Sequence, residues 1–453
     1  MINSFKNEKV AVLGLGLEGK DVVKFILKQG ASVTVFDKKE EKDLDLTGIE
    51  RKKINLVCGG SYLSGGIGGF ETIFRSPGIY RYLPELVKAE KEGIEISSAT
   101  KLFFDLCPGK IIGVTGTKGK GTTCTLIYEI LKKAGKDVYL AGNIGKPYLE
   151  LLPKLNKTSL VVLELSSFQL IDLQKSPHLS VVLNVTVDHL DWHKDEKEYL
   201  QAKTSIVRYQ RNTDYVVINA DYKKSVKFGD LTSARVFYFS RRKKVEGAYV
   251  DQGRIILNVD RTREIGETKK LLLRGEHNWE NITAAICASY LAGSDLGSIK
   301  RVVFSFRGLE HRLEFVRKVK GVSFYNDSFA TGPQPVMAAI DSFYEPTTLI
   351  LGGFDKGLTY GDLAKKAAGC KNIKTIILIG DIGSKIGDEL KKAKFPGLVI
   401  NLGKPPMEEI VREAFSHTPN GGVVLLSPGS SSFDMFKDYK DRGNQFKKAT
   451  RNL

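Results

Sequence analysis

Residues 111–123 read Ile-Ile-Gly-Val-Thr-Gly-Thr-Lys-Gly-Lys-Gly-Thr-Thr, a strand-like run that passes into a glycine-rich turn. A helix-like run follows, from Gly121 to Ala134. In this order the N–H groups of the turn can cradle phosphate, and Lys120 can reach the β- and γ-oxygens of a nucleoside triphosphate. The match to G-x-x-x-x-G-K-[ST] is imperfect, because Val114 replaces the first glycine and Thr122, one position late, must supply the metal-binding hydroxyl. The segment predicts a phosphate-binding loop; a plain surface turn is the alternative.

Strand-like and helix-like segments alternate on both sides of this loop, which predicts an α/β protein with parallel sheets. The 453 residues are about three times a typical domain length. We expect a Rossmann-like N-terminal domain over residues 1–98, a central P-loop ATPase-type domain over 99–306, and a C-terminal Rossmann-like α/β domain over 307–453. Short strand-like runs between residues 236 and 273 predict an antiparallel appendage on the central domain.

The composition is that of an ordinary globular protein, with 42% hydrophobic and 27% charged residues, which excludes disordered and fibrous classes. Lysine and arginine (69) exceed aspartate and glutamate (52), so the net charge of +17 favours anionic ligands. No apolar run approaches the roughly 18 residues of a membrane helix, and the N-terminus lacks a signal-peptide pattern. The five scattered cysteines form no Cys-x-x-Cys metal or redox motif. We expect a cytoplasmic protein.

A second glycine motif, Gly14-Leu15-Gly16-Leu17-Glu18-Gly19, lies between a strand-like and a helix-like run. Asp37 ends the next strand-like run, where an acid can hold a ribose hydroxyl. The motif by itself indicates an NAD-dependent oxidoreductase. However, a dinucleotide fold needs two mononucleotide-binding halves, and here a new strand-loop-helix motif begins at residue 110. A loop at residues 75–79 can close the same crevice as the glycine motif.

Further blocks narrow the assignment, and together they cover nearly the whole chain. They are Gly142-Asn143-Ile144-Gly145, Leu163-Glu164-Leu165-Ser166-Ser167-Phe168-Gln169, Asn184-Val185-Thr186-Val187-Asp188-His189-Leu190-Asp191, Gly275-Glu276-His277-Asn278, His311-Arg312, Asn326-Asp327-Ser328 and Leu426-Ser427-Pro428-Gly429-Ser430-Ser431-Ser432-Phe433-Asp434. With the loop at 116–122, they resemble the Mur ligase family. The resemblance implies a peptidoglycan-precursor ligase that adds D-glutamate to UDP-N-acetylmuramoyl-L-alanine, through an acyl phosphate made with ATP.

The resemblance also implies ATP and two Mg²⁺ ions as cofactors. The implied ATP contacts are Gly116, Thr117, Lys118, Gly119, Lys120, Gly121, Thr122, Asn278, Asn281, Arg312 and Asp327. The implied metal ligands are Thr122, Glu164, His189 and, if carbamylated, Lys203. The implied catalytic residues are Lys120, Lys203, His189 and Asn143. Glu164 also ends an apolar strand-like run, where a hard oxygen ligand suits Mg²⁺, although an ion pair or helix cap is the plainer interpretation.

The two other substrates are assigned in the same way. The UDP-linked substrate would contact Leu15, Gly16, Asp37, Gly78 and Asn143. The amino acid would contact Thr331, Lys356, Ser432, Phe433 and Tyr439. One departure from the family pattern affects specificity: Phe329 stands where a lysine often follows Asn-Asp-Ser. A Mur-type ligase for a different amino acid therefore stays open.

A non-enzymatic alternative is a basic ATP-binding module on nucleic acid or a membrane surface. The basic runs lack interleaved aromatic residues, so we expect no nucleic-acid partner. We expect a monomer without a membrane span.

Overall fold

The first glycine motif follows the opening strand of a parallel sheet in the computed structural model, which describes residues 5–143, 146–186 and 192–453. This sheet has the strands β1 (Lys9–Leu13), β2 (Ser32–Asp37), β3 (Ile54–Cys58), β4 (Thr72–Arg75) and β5 (Glu95–Ser97), and the helices α1 (Leu17–Lys28), α2 (Pro84–Lys91) and α3 (Ala99–Leu106). Its spatial order is β3-β2-β1-β4-β5, with every pair parallel. Strand order reverses between β1 and β4, and such a switch point opens a crevice at the carboxyl ends of the strands.

The second sheet contains nine strands and carries the predicted phosphate-binding loop. Its strands are β6 (Lys110–Thr115), β7 (Val138–Gly142), β8 (Leu160–Glu164), β9 (Leu179–Val182), β10 (Tyr215–Asn219), β11 (Arg235–Ser240), β12 (Gly247–Asp251), β13 (Arg254–Asn258) and β14 (Thr262–Glu267). The helices here are α4 (Lys120–Lys133), α5 (Ser167–Leu170), α6 (Glu196–Arg208), α7 (Lys223–Val226), α8 (Glu276–Leu291) and α9 (Leu296–Ser305). The order β14-β13-β12-β11-β10-β9-β6-β8-β7 places β6 between β8 and β9. The loop after β6 therefore lies beside the ends of two parallel neighbours.

The strands between residues 235 and 258 extend this sheet. β11 runs parallel to β10 and to β12, and antiparallel pairing begins only between β12 and β13. That pair is joined by Gln252 and Gly253, both with positive φ (46° and 75°), the backbone that a two-residue hairpin favours. β10 and β11 are instead connected through α7, as a parallel crossover requires. The expected antiparallel segment is present, but it begins one strand later than the sequence suggested.

The third sheet has six strands. They are β15 (Glu314–Val319), β16 (Val322–Asn326), β17 (Thr347–Gly352), β18 (Ile373–Ile379), β19 (Leu398–Gly403) and β20 (Val423–Leu426). Its helices are α10 (Pro333–Ile340), α11 (Gly361–Gly369), α12 (Gly383–Lys392), α13 (Met407–Ser416) and α14 (Tyr439–Arg451). The order is β15-β16-β20-β17-β18-β19, parallel except for the β15–β16 hairpin. The ends of β16, β20 and β17 are therefore neighbours.

The chain forms two compact units, Met1–Gly266 with Glu280–Val302 and Glu267–Trp279 with Val303–Leu453. The first unit contains the first two sheets, and the second unit contains the third. Each has its own apolar core, formed by clusters of buried strand and helix residues. The predicted α/β class with parallel sheets is confirmed, and the boundaries at residues 98 and 306 stay predictions. Within the described ranges, no helix combines the length and apolar character needed to cross a bilayer.

Candidate functional site

The loop after β6 has the backbone of an anion-binding turn. Gly116 and Gly119 adopt φ of 151° and 88°. A Cβ at Gly119 would lie 2.2 Å from Asn281 Oδ1, and one at Gly116 would lie 2.7 Å from the Cβ of Leu183, so neither position tolerates a side chain. Gly119 precedes α4 and provides no side-chain cap, so the first N–H groups of that helix are available to a ligand. The partial positive charge of the helix terminus favours phosphate there.

Hydrogen bonds hold the loop against neighbouring segments of the same protein. The N–H of Thr117 donates to the carbonyl of Asn184 (2.7 Å), and the N–H of Thr186 donates to Thr117 Oγ1 (2.9 Å). The hydroxyls of Thr117 and Tyr199 lie 3.0 Å apart. Asn281, predicted to contact ATP, accepts a hydrogen bond from Thr123 in the first turns of α4 (3.3 Å). These hydrogen bonds with residues outside the loop hold its backbone in the observed conformation.

Two lysines converge on this loop. Lys120 Nζ donates to the carbonyls of Gly116 (3.1 Å) and Thr117 (3.2 Å). Lys203, buried on α6, donates to the same Gly116 carbonyl (3.2 Å) and to Thr115 Oγ1 (3.4 Å). These lysines are 83 positions apart in sequence, yet the fold brings both to one carbonyl. The Lys120 ammonium favours an anion at the loop.

Three of the four predicted metal ligands, Thr122, Glu164 and Lys203, lie in or beside the same loop. Glu164 ends β8, where it pairs with Val114 of β6 and Gly142 of β7. Burial raises the pKa of the Cys124 thiol on α4 well above its usual range; the Glu164 carboxylate raises it further, and the Lys120 ammonium opposes this. Both charges are therefore close to Cys124. The described residues contain no group of three or more His, Cys, Asp or Glu arranged to hold a metal ion. His189 lies outside the described residues.

The crevice of the first sheet brings together four residues predicted for the UDP-linked substrate. The N–H of Leu15 donates to Asp37 Oδ2 (2.7 Å), and the N–H of Lys39 donates to Asp37 Oδ1 (2.9 Å). Ser76 Oγ donates to the carbonyl of Gly14 (2.6 Å), which joins the loop after β4, with Gly78, to the loop after β1. Gly16 precedes α1 without a side-chain cap. A second uncapped helix N-terminus therefore faces this crevice.

A polar cluster links Asn143, the fifth predicted contact, to the same region. Gln169 Nε2 lies 2.5 Å from both Glu18 Oε1 and Tyr148 Oη, and 3.4 Å from Asn143 Oδ1. Burial raises the pKa of Glu18 to about 7, although the hydrogen bond from Gln169 opposes the shift. The sequence predictions missed Glu18 and Gln169. The sequence did offer a signal for Glu18: it places an acid in the first turn of the helix that follows a glycine motif of the phosphate-binding type. A carboxylate there would repel a phosphate, so an acid at this position is unexpected unless it is protonated.

In the second unit, a turn with unusual backbone presents Arg312. His311 and Leu313 adopt φ of 64° and 45°, and the N–H of Leu313 donates to Asp327 Oδ1 (3.1 Å). Asp327 Oδ2 accepts from the hydroxyl of Ser427 (2.7 Å), and burial raises the pKa of Asp327 to about 7. Both Asp327 oxygens thus have partners inside the unit. The guanidinium of Arg312 lies 4.0 Å above the Phe329 ring, an attractive cation–π contact.

The residues predicted for the amino acid are carried mainly by loops after neighbouring strands. Thr331 follows β16, Lys356 follows β17, and Ser432 and Phe433 follow β20; Tyr439 begins α14. Ser432 is buried, and its hydroxyl has no hydrogen-bond partner among the described residues. Phe433 is 68% exposed, and Tyr439 packs edge-on against Phe329 with ring centroids 5.0 Å apart. Asn278 Nδ2, in the first turn of α8, donates to the carbonyl of Arg274 (2.6 Å), which precedes the helix.

Comparison with known proteins assigns the chain to a family. Residues 8–98 match the MurD-like N-terminal domain of Mur ligases, and residues 114–289 match the Mur ligase middle domain. The chain is 40% identical to the UDP-N-acetylmuramoylalanine–D-glutamate ligase of Clostridium tetani, over 100% of this chain and 99% of that protein. It is also 40% identical to the ligase of the same name from Acetivibrio thermocellus, over 99% and 97%. The chain belongs to the Mur ligase family.

Solved Mur ligase structures share the fold at low sequence identity. The UDP-N-acetylmuramate-alanine ligase MurC of Thermotoga maritima matches with a TM-score of 0.59 and 19% identity, over 98% of this chain and 100% of that chain. The MurF ligase of Thermotoga maritima in complex with ADP matches with a TM-score of 0.55 and 18% identity, over 100% and 98%. The recognition of a Mur ligase, of its fold class and of a ligase rather than an oxidoreductase is confirmed. The individual site residues of this Mur ligase stay predictions.

Proposed function

We propose that this Mur ligase joins D-glutamate to the L-alanyl carboxylate of UDP-N-acetylmuramoyl-L-alanine, with cleavage of ATP to ADP and phosphate, in peptidoglycan precursor synthesis. The names of the full-length relatives support the choice of substrates. The observation that carries the chemistry is the convergence of Lys120 and Lys203 on one carbonyl of a glycine loop that precedes an uncapped helix. We propose that it acts as a monomer in the cytoplasm, where ATP and UDP-linked substrates are supplied.

The reaction needs activation because an ionised carboxylate resists attack by an amine. Transfer of the γ-phosphoryl group to the L-alanyl carboxylate makes an acyl phosphate and leaves ADP. The amine of D-glutamate then forms the amide bond, the bond from the acyl carbon to the phosphate oxygen breaks, and phosphate leaves. The N–H groups of the loop and the Lys120 ammonium would hold the β- and γ-phosphates and neutralise charge as it develops.

The residues around the loop fit Mg²⁺, which needs hard oxygen ligands and keeps water and phosphate ligands as well. Thr122 and Glu164 would hold one ion together with the phosphates. His189 and a carbamylated Lys203 would hold the second. When bound, the ions screen phosphate charge and polarise the phosphoryl group. A carbamate on Lys203 would show as a mass gain of one CO₂ that acid removes.

The test of the function is phosphate release with ATP, Mg²⁺, UDP-N-acetylmuramoyl-L-alanine and a panel of D- and L-amino acids. D-glutamate should give the highest kcat/KM. Phe329 keeps a second candidate open, because it removes a cation that the family often has there and places an aromatic ring beneath Arg312. A higher kcat/KM with another amino acid would support that second candidate. No phosphate release with any amino acid would contradict both.

A further inference from the structure

Arg442 on α14 is a completely buried arginine that the sequence predictions did not include. Its guanidinium makes four hydrogen bonds. Nε donates to Ser328 Oγ (3.0 Å), and Nη2 donates to the carbonyls of Ser328 (2.9 Å) and Ser430 (3.0 Å). Nη1 donates to the carbonyl of Ser431 (3.4 Å). A planar group with several donors in fixed directions can join separate backbone segments in this way, and lysine cannot reproduce it.

These hydrogen bonds join the loops that follow β16 and β20, and the guanidinium also lies against the loop after the adjacent strand β17. Ser328 lies in the loop after β16, and Ser430 and Ser431 lie in the loop after β20. Gly353, in the loop after β17, is so close that a Cβ there would lie 3.3 Å from Arg442 Nη1. The loops carry Thr331, Ser432 and Lys356 respectively, which are the residues proposed for the amino acid. Ser328 Oγ also donates to the carbonyl of Tyr439 (2.8 Å), which adds the first residue of α14 to the network.

The charge of Arg442 has no ion-pair partner among the described residues. Its contacts are a hydroxyl and three carbonyls, and Asp434 is the acid that acts on it electrostatically. Burial lowers the pKa of Arg442 to about 10, so the group is still a cation at neutral pH. An unpaired buried cation is costly, and such groups are found chiefly where a binding site uses the charge.

Two buried hydroxyls beside this cation provide an independent observation. Ser431 Oγ and Ser432 Oγ have no hydrogen-bond partner among the described residues, nor does Asp434 Oδ1. Buried hydroxyls normally have partners, so a pair without any in one loop indicates a place for a polar ligand. In the same loop, the backbone carbonyls of Ser430 and Ser431 accept hydrogen bonds from Arg442. The loop after β20 is therefore hydrogen-bonded to the cation through two carbonyls, and two of its hydroxyls have no partner among the described residues.

We propose that Arg442 is the positioning residue of the amino-acid site: it holds the loops that carry Thr331, Lys356 and Ser432 at fixed spacing, and its buried charge favours an amino acid with two carboxylates. The proposal rests on the proposed function.

The test compares steady-state kinetics of the full-length enzyme and three variants. Arg442→Lys keeps the charge but loses the fork of donors, Arg442→Met removes the charge, and Arg451→Lys, at an exposed position of the same helix, is the control. Arg442→Lys should raise KM for D-glutamate about tenfold, with KM for ATP and for the UDP-linked substrate within about twofold of wild type. Arg442→Met should also reduce, by about tenfold, the preference for D-glutamate over D-glutamine, whose side chain is uncharged. The control should match wild type.

Ser328→Ala serves as a second probe if Arg442→Met does not fold, because it removes one contact of Arg442 and leaves the charge. It should raise KM for D-glutamate about threefold. An unchanged KM for D-glutamate in folded Arg442→Lys would overturn the proposal. An equal rise in KM for all three substrates in Arg442→Lys would also overturn it, and so would an unchanged preference for D-glutamate over D-glutamine in Arg442→Met. Either result would show that Arg442 supports the fold and has no specific effect on the amino-acid site. Failure of the proposed function is a different result: wild type itself would not use D-glutamate.

Discussion

Lys120 is the side chain of the proposed phosphate-binding loop whose removal we expect to affect catalysis most. Its ammonium bridges the carbonyls of Gly116 and Thr117 and can turn to a phosphate without moving the backbone. Lys120→Ala should lower phosphate release at least about a hundredfold, since charge stabilisation in the transition state is lost. Lys133→Ala, an exposed lysine at the end of the same helix, is the matched control. Turnover of Lys120→Ala equal to that of the control would remove the loop from catalysis.

Glu18 gives a pH-dependent prediction. Its pKa in the folded protein is about 7, against 4.5 ordinarily, because its carboxyl is buried. Between these values the folded state holds a proton that the unfolded state has lost, so the free energy of unfolding falls as pH rises from 4.5 to 7. Glu18→Gln keeps the shape of the protonated acid and, because glutamine does not ionise, removes this pH-dependent loss of stability. The variant should be more stable than wild type by up to about 3 kcal/mol at pH 8, and the two should converge near pH 4.

Urea unfolding of both proteins across this pH range measures the difference. Glu408→Gln is the control, because Glu408 is an exposed acid in the first turn of α13. Asp21 and Asp327 have raised pKa values as well, so the comparison is between variant and wild type rather than along the wild-type curve. A constant difference at all pH values would show that Glu18 ionises in the folded protein as it does in the unfolded chain.

Gly119 joins helix α4 to the glycine loop before it, and its backbone is left-handed. Gly119→Ala introduces a Cβ at φ 88° and 2.2 Å from Asn281 Oδ1. Gly135, just beyond the other end of α4, has φ of 73° and open space around it, which makes Gly135→Ala a matched control. Both variants should lose about 1 kcal/mol of stability from the left-handed backbone, and Gly119→Ala should lose more because its Cβ also meets Asn281. Only Gly119→Ala should raise the dissociation constant for ADP, at least about tenfold by calorimetry; equal affinities would contradict the assigned role of the loop.

The whole chain has separate apolar cores in its two units, and this predicts its unfolding behaviour. Chains with independent cores often unfold in more than one transition. The residues proposed for the UDP-linked substrate all lie in the first unit. UDP at about a hundred times its dissociation constant should therefore stabilise that unit by about 2.7 kcal/mol. In scanning calorimetry one transition should move upward with UDP while the other stays; a single transition that moves as a whole would contradict independent units.

Local patterns in the amino-acid sequence were enough to predict the phosphate-binding loop, the α/β alternation and the family, because turn geometry and strand–helix periodicity depend on neighbouring residues. They did not predict Glu18 or Arg442. Glu18 meets Gln169 across 151 positions, and Arg442 meets Ser328 across 114. Burial and loss of solvent depend on which distant segments pack together, and so do the shifted pKa of Glu18, the unpaired charge of Arg442 and the contact of Arg312 with Phe329. These properties arise only when the chain folds, since the unfolded chain leaves each of these groups in water.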